Sequence, residues 1–242
     1  MNHALTQFLI PNSSLIMKIG IIVAMGKEMK LLRPMIQLPS LVTINDIPFT
    51  TGKMGTHDVV VMQCGIGKVN AAIGTLTLID SFHPEIVINT GVAGGAGGDA
   101  HILDIVVAER IAYHDVWCGP GTEWGEAARC PKYFLTDTEL NDLQCLYGDP
   151  RIHHGLLCTG DIFISREEEV ARIRSLYPEV LAVDMESGAI AQVCYLKNVP
   201  FFCLRVVSDT PGGADNIAQY ENFWDDAPSH TLEIISKILS SI

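Results

Sequence analysis

No apolar run in the 242 residues approaches the roughly 18 needed for a membrane helix, so a helical span is not expected. Basic clusters are also missing. Lys and Arg total 16 against 28 Asp and Glu, and the net charge is −12, which argues against a nucleic-acid partner. Charged residues are scarce at 18%, while 48% hydrophobic residues supply a core for one large domain or two small ones. There is no Cys-x-x-Cys. The seven cysteines (64, 118, 130, 145, 158, 194 and 203) are odd in number, and several sit inside apolar runs. They read as reduced thiols of a cytoplasmic protein, not as a disulfide frame or zinc site. The histidines, among them His57, His83, His114 and a His153-His154 pair that reads as a surface turn, show no ligand spacing. No metal and no cofactor are therefore expected. Residues 1–16, MNHALTQFLIPNSSLI, lack the basic start and cleavage site of a signal peptide and read as an extension before a domain over 17–242.

What is present is a set of short, continuous apolar runs: IGIIVAM (19–25), VVVMQC (59–64), EIVINTG (85–91), DIVVAERI (104–111) and FFCLRVV (201–207). Continuity in place of alternation predicts strands covered on both faces, as in a largely parallel sheet. Helical spacing follows over 68–82, 167–176, 186–196 and about 231–242, where Leu232, Ile235, Ile238 and Leu239 share one face. Strand then helix, repeated, is α/β. Segments 94–100, 115–135 and 210–220 read as irregular.

Ligands of open α/β sheets sit at the carboxyl ends of strands, so the residues that end each run carry the functional reading. Glu28, in the first turn after the first run, fits a helix-start acid as well as a functional carboxylate. CGIGKVN (64–70) resembles G-x-G-x-x-G but has Asn70 where the third small residue belongs, and no acid follows at the required distance. GAGGDA (95–100) opens no helix, and there is no Walker A loop; dinucleotide binding is not supported. The dense glycines of NTGVAGG (89–95) permit close approach of backbone to a ligand. Phe163, in TGDIFI, could stack on a flat ring or enter the core. Asp184 and Glu186 flank Met185 where a short run, LAVD, gives way to a helix rich in small residues; a carboxylate there must be paired or useful. Asp209 ends the last run in VVSD, either as a turn cap or as a buried proton donor.

Six pieces, MKIGIIVAMGKEM (17–29), CGIGKVNAA (64–72), INTGVAGG (88–95), TGDIFI (159–164), AVDMES (182–187) and VVSD (206–209), together resemble the 5′-methylthioadenosine/S-adenosylhomocysteine nucleosidases in order and spacing. The resemblance implies a single-domain, three-layer α/β/α fold whose central mixed, strongly curved sheet is flanked by helices. It implies a homodimer in which a partner loop helps close each site. By position, Glu28 matches the carboxylate that activates water and Asp209 the acid that protonates purine N7, with Ser208 beside it. Met185 and Glu186 match the ribose contacts, Phe163 the ring stacked on adenine, and the Ile164 backbone the groups reading its edge. Arg205 matches an arginine near the water site, Tyr220 an aromatic over the ligand, and Ala24, Ile66, Ala93 and Gly94 pocket-lining positions. Asp209 could donate a proton only if burial raised its pKa above the usual value of about 3.9.

The expected reaction is hydrolysis of an N-ribosidic bond by a nucleoside substrate's reaction with water. Sister phosphorylases carry R-x-G-S at the third strand end, where this chain reads Asn89-Thr90-Gly91-Val92, and the charge of Glu28 would repel phosphate. Val92 also departs from nucleosidases with Ser there, and Gly26-Lys27 stands where acids are common. The alternatives are a phosphate-dependent purine nucleoside phosphorylase and a non-catalytic nucleoside-binding protein. Which 5′-substituent is preferred, among those of methylthioadenosine, adenosylhomocysteine, 5′-deoxyadenosine and aminodeoxyfutalosine, is left open by the residues.

Overall fold

A computed structural model describes residues 16–97, 100–213, 215–226 and 228–242, with the side chains of 225–232 excepted. The extension expected over 1–16 thus lies outside the described residues, apart from exposed Ile16, as does part of the 95–100 glycine stretch.

In chain order the elements are β1 (Lys18–Val23), α1 (Gly26–Leu32), β2 (Gln37–Ile44), β3 (Ile47–Met54), β4 (His57–Gln63), α2 (Lys68–Phe82), β5 (Ile86–Gly95), β6 (Ile105–Tyr113), β7 (Phe134–Leu135) and α3 (Thr138–Asn141). They continue as β8 (Ile152–Thr159), α4 (Glu167–Leu176), β9 (Val180–Asp184), α5 (Ser187–Lys197), β10 (Phe201–Asp209), α6 (Asn216–Asp226) and α7 (Pro228–Ser241). All five apolar runs form strands. The β2–β3 pair, which carries no continuous run, is a hairpin whose two turn residues, Asn45 and Asp46, both take positive φ, as its two-residue turn requires.

The sheet is mixed. β1 lies parallel to β4 and β5, and β5 parallel to β10. β6, β8 and β9 form a second parallel set, joined antiparallel to the first through β10–β6 and β5–β9. Curvature goes as far as closure: β5, β10, β6, β8 and β9 form a ring, from which β1, β4, β3 and β2 extend as a wing. Register shifts at Val207/Asp209, Ala108/Arg110 and Leu156/Leu157 supply the bends a closed ring of strands needs.

The closure decides where chemistry can occur. β5 and β9 overlap only through Gly94–Val183 and Gly95–Ala182. Although they run in opposite directions, the overlap is so short that both carboxyl ends reach the same region. The ends of β1, β8 and β10 meet there too. Apolar cores lie on both sides of the sheet: α2 and α5 cover one face, with Ala71, Leu78, Ile190 and Cys194 inward, and α1, α6 and α7 cover the other, with Leu32, Phe223, Ile235 and Ile238. Close packing is seen at Gly20, where a Cβ would stand 2.6 Å from Leu78.

Two sequence expectations change. Segment 210–220 is irregular only at its start, because α6 begins at Asn216. His153 and His154 belong to β8 and not to a surface turn. His153 Nε2 lies 2.9 Å from Asp104, and His154 stacks on Tyr147 with ring centres 4.8 Å apart.

Candidate active site

The converging strand ends line a cleft open to solvent on one side. All the sequence-predicted site residues line it except Arg205: Glu28, Asp209, Ala24, Ile66, Ala93, Gly94, Phe163, Ile164, Met185, Glu186, Ser208 and Tyr220. Arg205 is fully buried and set behind the cleft wall.

Glu28 sits in the first turn of α1, and its carboxylate reaches back over the helix start. Its Oε2 accepts from the backbone N–H of Ala24 and Met25, each at 2.8 Å, and its Oε1 from that of Val92 at 3.0 Å. The helix-start reading is thus realised, and the same side chain lines the cleft. Burial pushes its pKa up, while the Arg205 charge and the three N–H donors pull it back. Gly91 makes this approach possible: with φ at +151°, it leaves the space in which Glu28 Oε1 and Arg205 Nη1 face it.

Arg205 enters from β10 and donates to Asp184 Oδ2 at 2.6 Å and Asn89 Oδ1 at 2.8 Å, with Ser187 Oγ also in reach. Asp184 further accepts from the N–H of Ser187 at 3.0 Å and from Thr159 Oγ1. A fully buried guanidinium is tolerable only with such partners. It stands 4.0 Å from Glu186 and leaves Nη1 without a hydrogen-bond partner, on the side of Gly91 and Glu28.

Glu186 sits between β9 and α5, and its Oε1 accepts the N–H of Gly67 at 2.8 Å. Gly67 has φ +95°, a conformation that suits glycine, and this turns its N–H into the cleft at the start of α2. The glycines of CGIGKVN thus present backbone to a carboxylate. Burial, followed by the charge of Asp184, pushes the Glu186 pKa up.

Asp209 ends β10. Its Oδ1 accepts from Ser208 Oγ and its Oδ2 from Asn216 Nδ2, both at 2.7 Å. Burial raises its pKa, and these two neutral donors oppose the rise only in part. No cation contributes, in contrast to Glu28. Two buried carboxyls in one cleft thus have unlike surroundings: one is held by a cation and three fixed N–H groups, the other by two uncharged side chains. Burial raises the pKa of both, and the rise is opposed by a cation only at Glu28.

The mouth is aromatic. Phe163 is half exposed and meets Tyr220 edge to face, with ring centres 5.6 Å apart. The Tyr220 hydroxyl lies 3.1 Å from Met25 Sδ, so α6 and the β1–α1 turn touch across the opening. Residues not named by sequence reasoning are Asn216, Gly67 as a donor, and the Asn89–Ser187 pair behind Arg205. A signal for Asn216 was present: Ile217, Tyr220, Phe223 and Trp224 fall at helical spacing after Asp215.

Comparison with known proteins agrees along nearly the whole chain. The profile of the phosphorylase superfamily matches residues 18–240. A 5′-methylthioadenosine/S-adenosylhomocysteine nucleosidase of Aeromonas salmonicida is 37% identical over 231 residues, covering 93% of this chain and 100% of the relative. The S-adenosylhomocysteine nucleosidase of Streptococcus pyogenes, solved with 5-methylthiotubericidin, superposes with a TM-score of 0.90 at 32% identity, covering 95% of this chain and 99% of that one. The corresponding enzyme of Streptococcus pneumoniae, solved with the transition-state inhibitor MT-ImmA, gives 0.89 at 33% identity, over 93% and 99%. With its fold, its cleft and these relatives in agreement, the chain belongs to the phosphorylase superfamily and, within it, to the 5′-methylthioadenosine/S-adenosylhomocysteine nucleosidase family.

Proposed function

We propose that this protein hydrolyses the N-ribosidic bond of 5′-methylthioadenosine and S-adenosylhomocysteine, releasing adenine and the 5′-substituted ribose. One observation carries the reading: Glu28 and Asp209 face one cleft, and although burial pushes the pKa of both up, only at Glu28 do a cation, Arg205, and three backbone N–H groups oppose the rise.

In this reading the water oxygen attacks C1′ of the ribose while Glu28 takes its proton. The C1′–N9 electron pair moves into adenine, and Asp209 delivers a proton to N7, so that adenine leaves neutral. The transition state is oxocarbenium-like. Glu186 binds the ribose hydroxyls with Met185 packed beside it, and its carboxylate favours positive charge in the sugar. Phe163 stacks on adenine and the Ile164 backbone reads its edge. Ser208 steadies Asp209, and Arg205 orients the water side from behind. Tyr220, Ala24, Ile66, Ala93 and Gly94 shape the cleft.

Water is favoured over phosphate for a reason built into the chain. The N–H groups of Ala24, Met25 and Val92, which could cradle an anion, are taken by the protein's own carboxylate. Val92 offers no side-chain donor in addition.

We infer also that the protein acts as a homodimer. Val69, Ile73 and Leu76 are exposed at helical spacing along α2, with exposed Ile66 in the turn just before it beside the cleft, and such a stripe is suited to a second copy. The seven unpaired cysteines support a cytoplasmic location. Size-exclusion chromatography with light scattering tests the dimer.

The activity test mixes purified protein with each nucleoside in phosphate-free buffer and measures adenine. The expected results are release without phosphate, no gain on adding it, and a fall of roughly 10²–10⁴-fold for Asp209→Asn and for Glu28→Gln. Adenine release that requires phosphate and yields ribose 1-phosphate would instead make the protein a phosphorylase.

A further inference from the structure

Each oxygen of Asp209 is held by a side chain that can either donate or accept a hydrogen bond; Asp184 has hydroxyl partners on both oxygens too, from Thr159 and Ser187, but it is also bound to the Arg205 guanidinium, which keeps it ionised. Ser208 Oγ is 2.7 Å from Oδ1 and 3.3 Å from the Ala93 carbonyl. It can therefore donate to an ionised Asp209, or accept from a protonated one while donating to Ala93. The Asn216 amide has the same property: its Nδ2 donates to Oδ2 at 2.7 Å, and turned about, its oxygen would accept. Asn216 is buried, at 3% exposure, and is the first residue of α6. The same helix carries Tyr220 to the mouth of the cleft, and its start is tied down by the Thr210 N–H, which donates to Gln219 Oε1 at 2.9 Å.

On the reading that Asp209 is the acid, we propose that Asn216 is a positioning residue for proton delivery: its amide fixes the Asp209 carboxyl and receives the carboxylate that remains after the proton has gone to the purine. A buried oxygen left unpaired after proton loss is costly. A partner able to serve both protonation states removes that cost without a cation, which would hold Asp209 ionised and spoil it as an acid. The other groups facing Asp209 do not perform this task. Ser208 serves the other oxygen. Tyr220 of α6 has a phenol whose pKa is itself raised, by burial and by the charges of Glu28, Asp209 and Glu186. Glu28, from α1, and Glu186, from the β9–α5 junction, are acceptors when ionised.

The test compares Asn216→Leu with Gln219→Ala in pH profiles of adenine release, beside wild type and Asp209→Asn. Asn216→Leu removes a donor from the ionised form, so Asp209 holds its proton to higher pH. The basic limb of kcat/KM should move up by about one unit, and plateau kcat should fall roughly tenfold. Gln219→Ala loosens the start of α6 without touching Asp209 and should leave the limb in place. Asn216→Asp, which sets a like charge against the carboxyl, should lower activity further and restore none of the shift. If Asn216→Leu loses activity with an unmoved limb, as Gln219→Ala would, Asn216 only holds the helix and the proposal is overturned. Unfolding of Asn216→Leu, seen by circular dichroism, would transfer the same limb measurement to Asn216→Ser. If Asp209→Asn itself keeps wild-type turnover, the parent reading fails, whatever Asn216 does.

Discussion

Adding one methyl group at Gly91 tests the reading of the water side at a residue that has no side chain of its own. A Cβ there would stand 2.5 Å from Arg205 Nη1 and 2.9 Å from Glu28 Cδ, and closer still to Glu28 Oε1, whereas ordinary contact begins at 3.4 Å. One of the two side chains must retreat by on the order of 1 Å. Arg205 is the less able to move, because it is held by Asp184 and Asn89 at 2.6 and 2.8 Å. Glu28 therefore gives way and loses at least one of its N–H bonds. A displacement of about 1 Å of a positioned group costs roughly 10²-fold in rate. Overpacking costs about 1–3 kcal/mol of stability, a fall in Tm of roughly 2–12 °C for a domain of this size. The assay is chromatographic measurement of adenine release by Gly91→Ala below its Tm, with kcat and KM separated. The loss should fall on kcat, because the proposed adenine and ribose contacts lie elsewhere in the cleft. Wild-type kcat in a folded Gly91→Ala protein would refute the argument that Glu28 acts from this position.

Two further outcomes follow from the buried charges. Asp184→Asn breaks a fully buried ion pair and strands Arg205, at a cost of about 3–5 kcal/mol; thermal unfolding should show the largest Tm loss of the variants named here, roughly 6–20 °C. Glu186 has a pKa raised in the fold above the ordinary 4.5, so the native state binds its proton more tightly than the unfolded chain does. That stability is full below about pH 4.5 and is lost as pH rises toward the folded value. Glu186→Gln should accordingly gain Tm relative to wild type at pH 8 but not at pH 4, while losing activity through the proposed ribose contact; an equal Tm difference at both pH values would contradict the raised pKa.

Much of the architecture was legible along the chain. The spacing over 68–82 and 167–176 matches α2 and α4 to the residue, since both helices are bounded by local signals: Gly67 with positive φ before the first, and a run of Glu in the first turn of the second. The last helix starts at Pro228, three residues before the expected 231, because proline suits a first turn. α6 was hidden by the Thr210–Gly213 stretch before it, whose composition reads as loop. The His153-His154 pair was misread because polar residues occur inside β8, where Asp104, remote in sequence, and the Tyr147 ring give them partners.

The sequence by itself determined which side chains stand at the ends of buried strands, because apolar runs must stop where the backbone leaves the core, and Glu28, Glu186 and Asp209 lie at or just beyond those stops. It did not determine how those ends meet. Closure of the β5–β10–β6–β8–β9 ring brings the ends of two opposed strands together through a two-residue overlap at Gly94 and Gly95. Nor did it determine protonation, which depends on what lies behind each carboxyl. Arg205 and three N–H groups stand behind Glu28, and Ser208 with Asn216 beside Asp209. Those neighbours come from distant parts of the chain, and the strength of their fields depends on separations of a few ångströms in a buried medium, which only the folded arrangement sets.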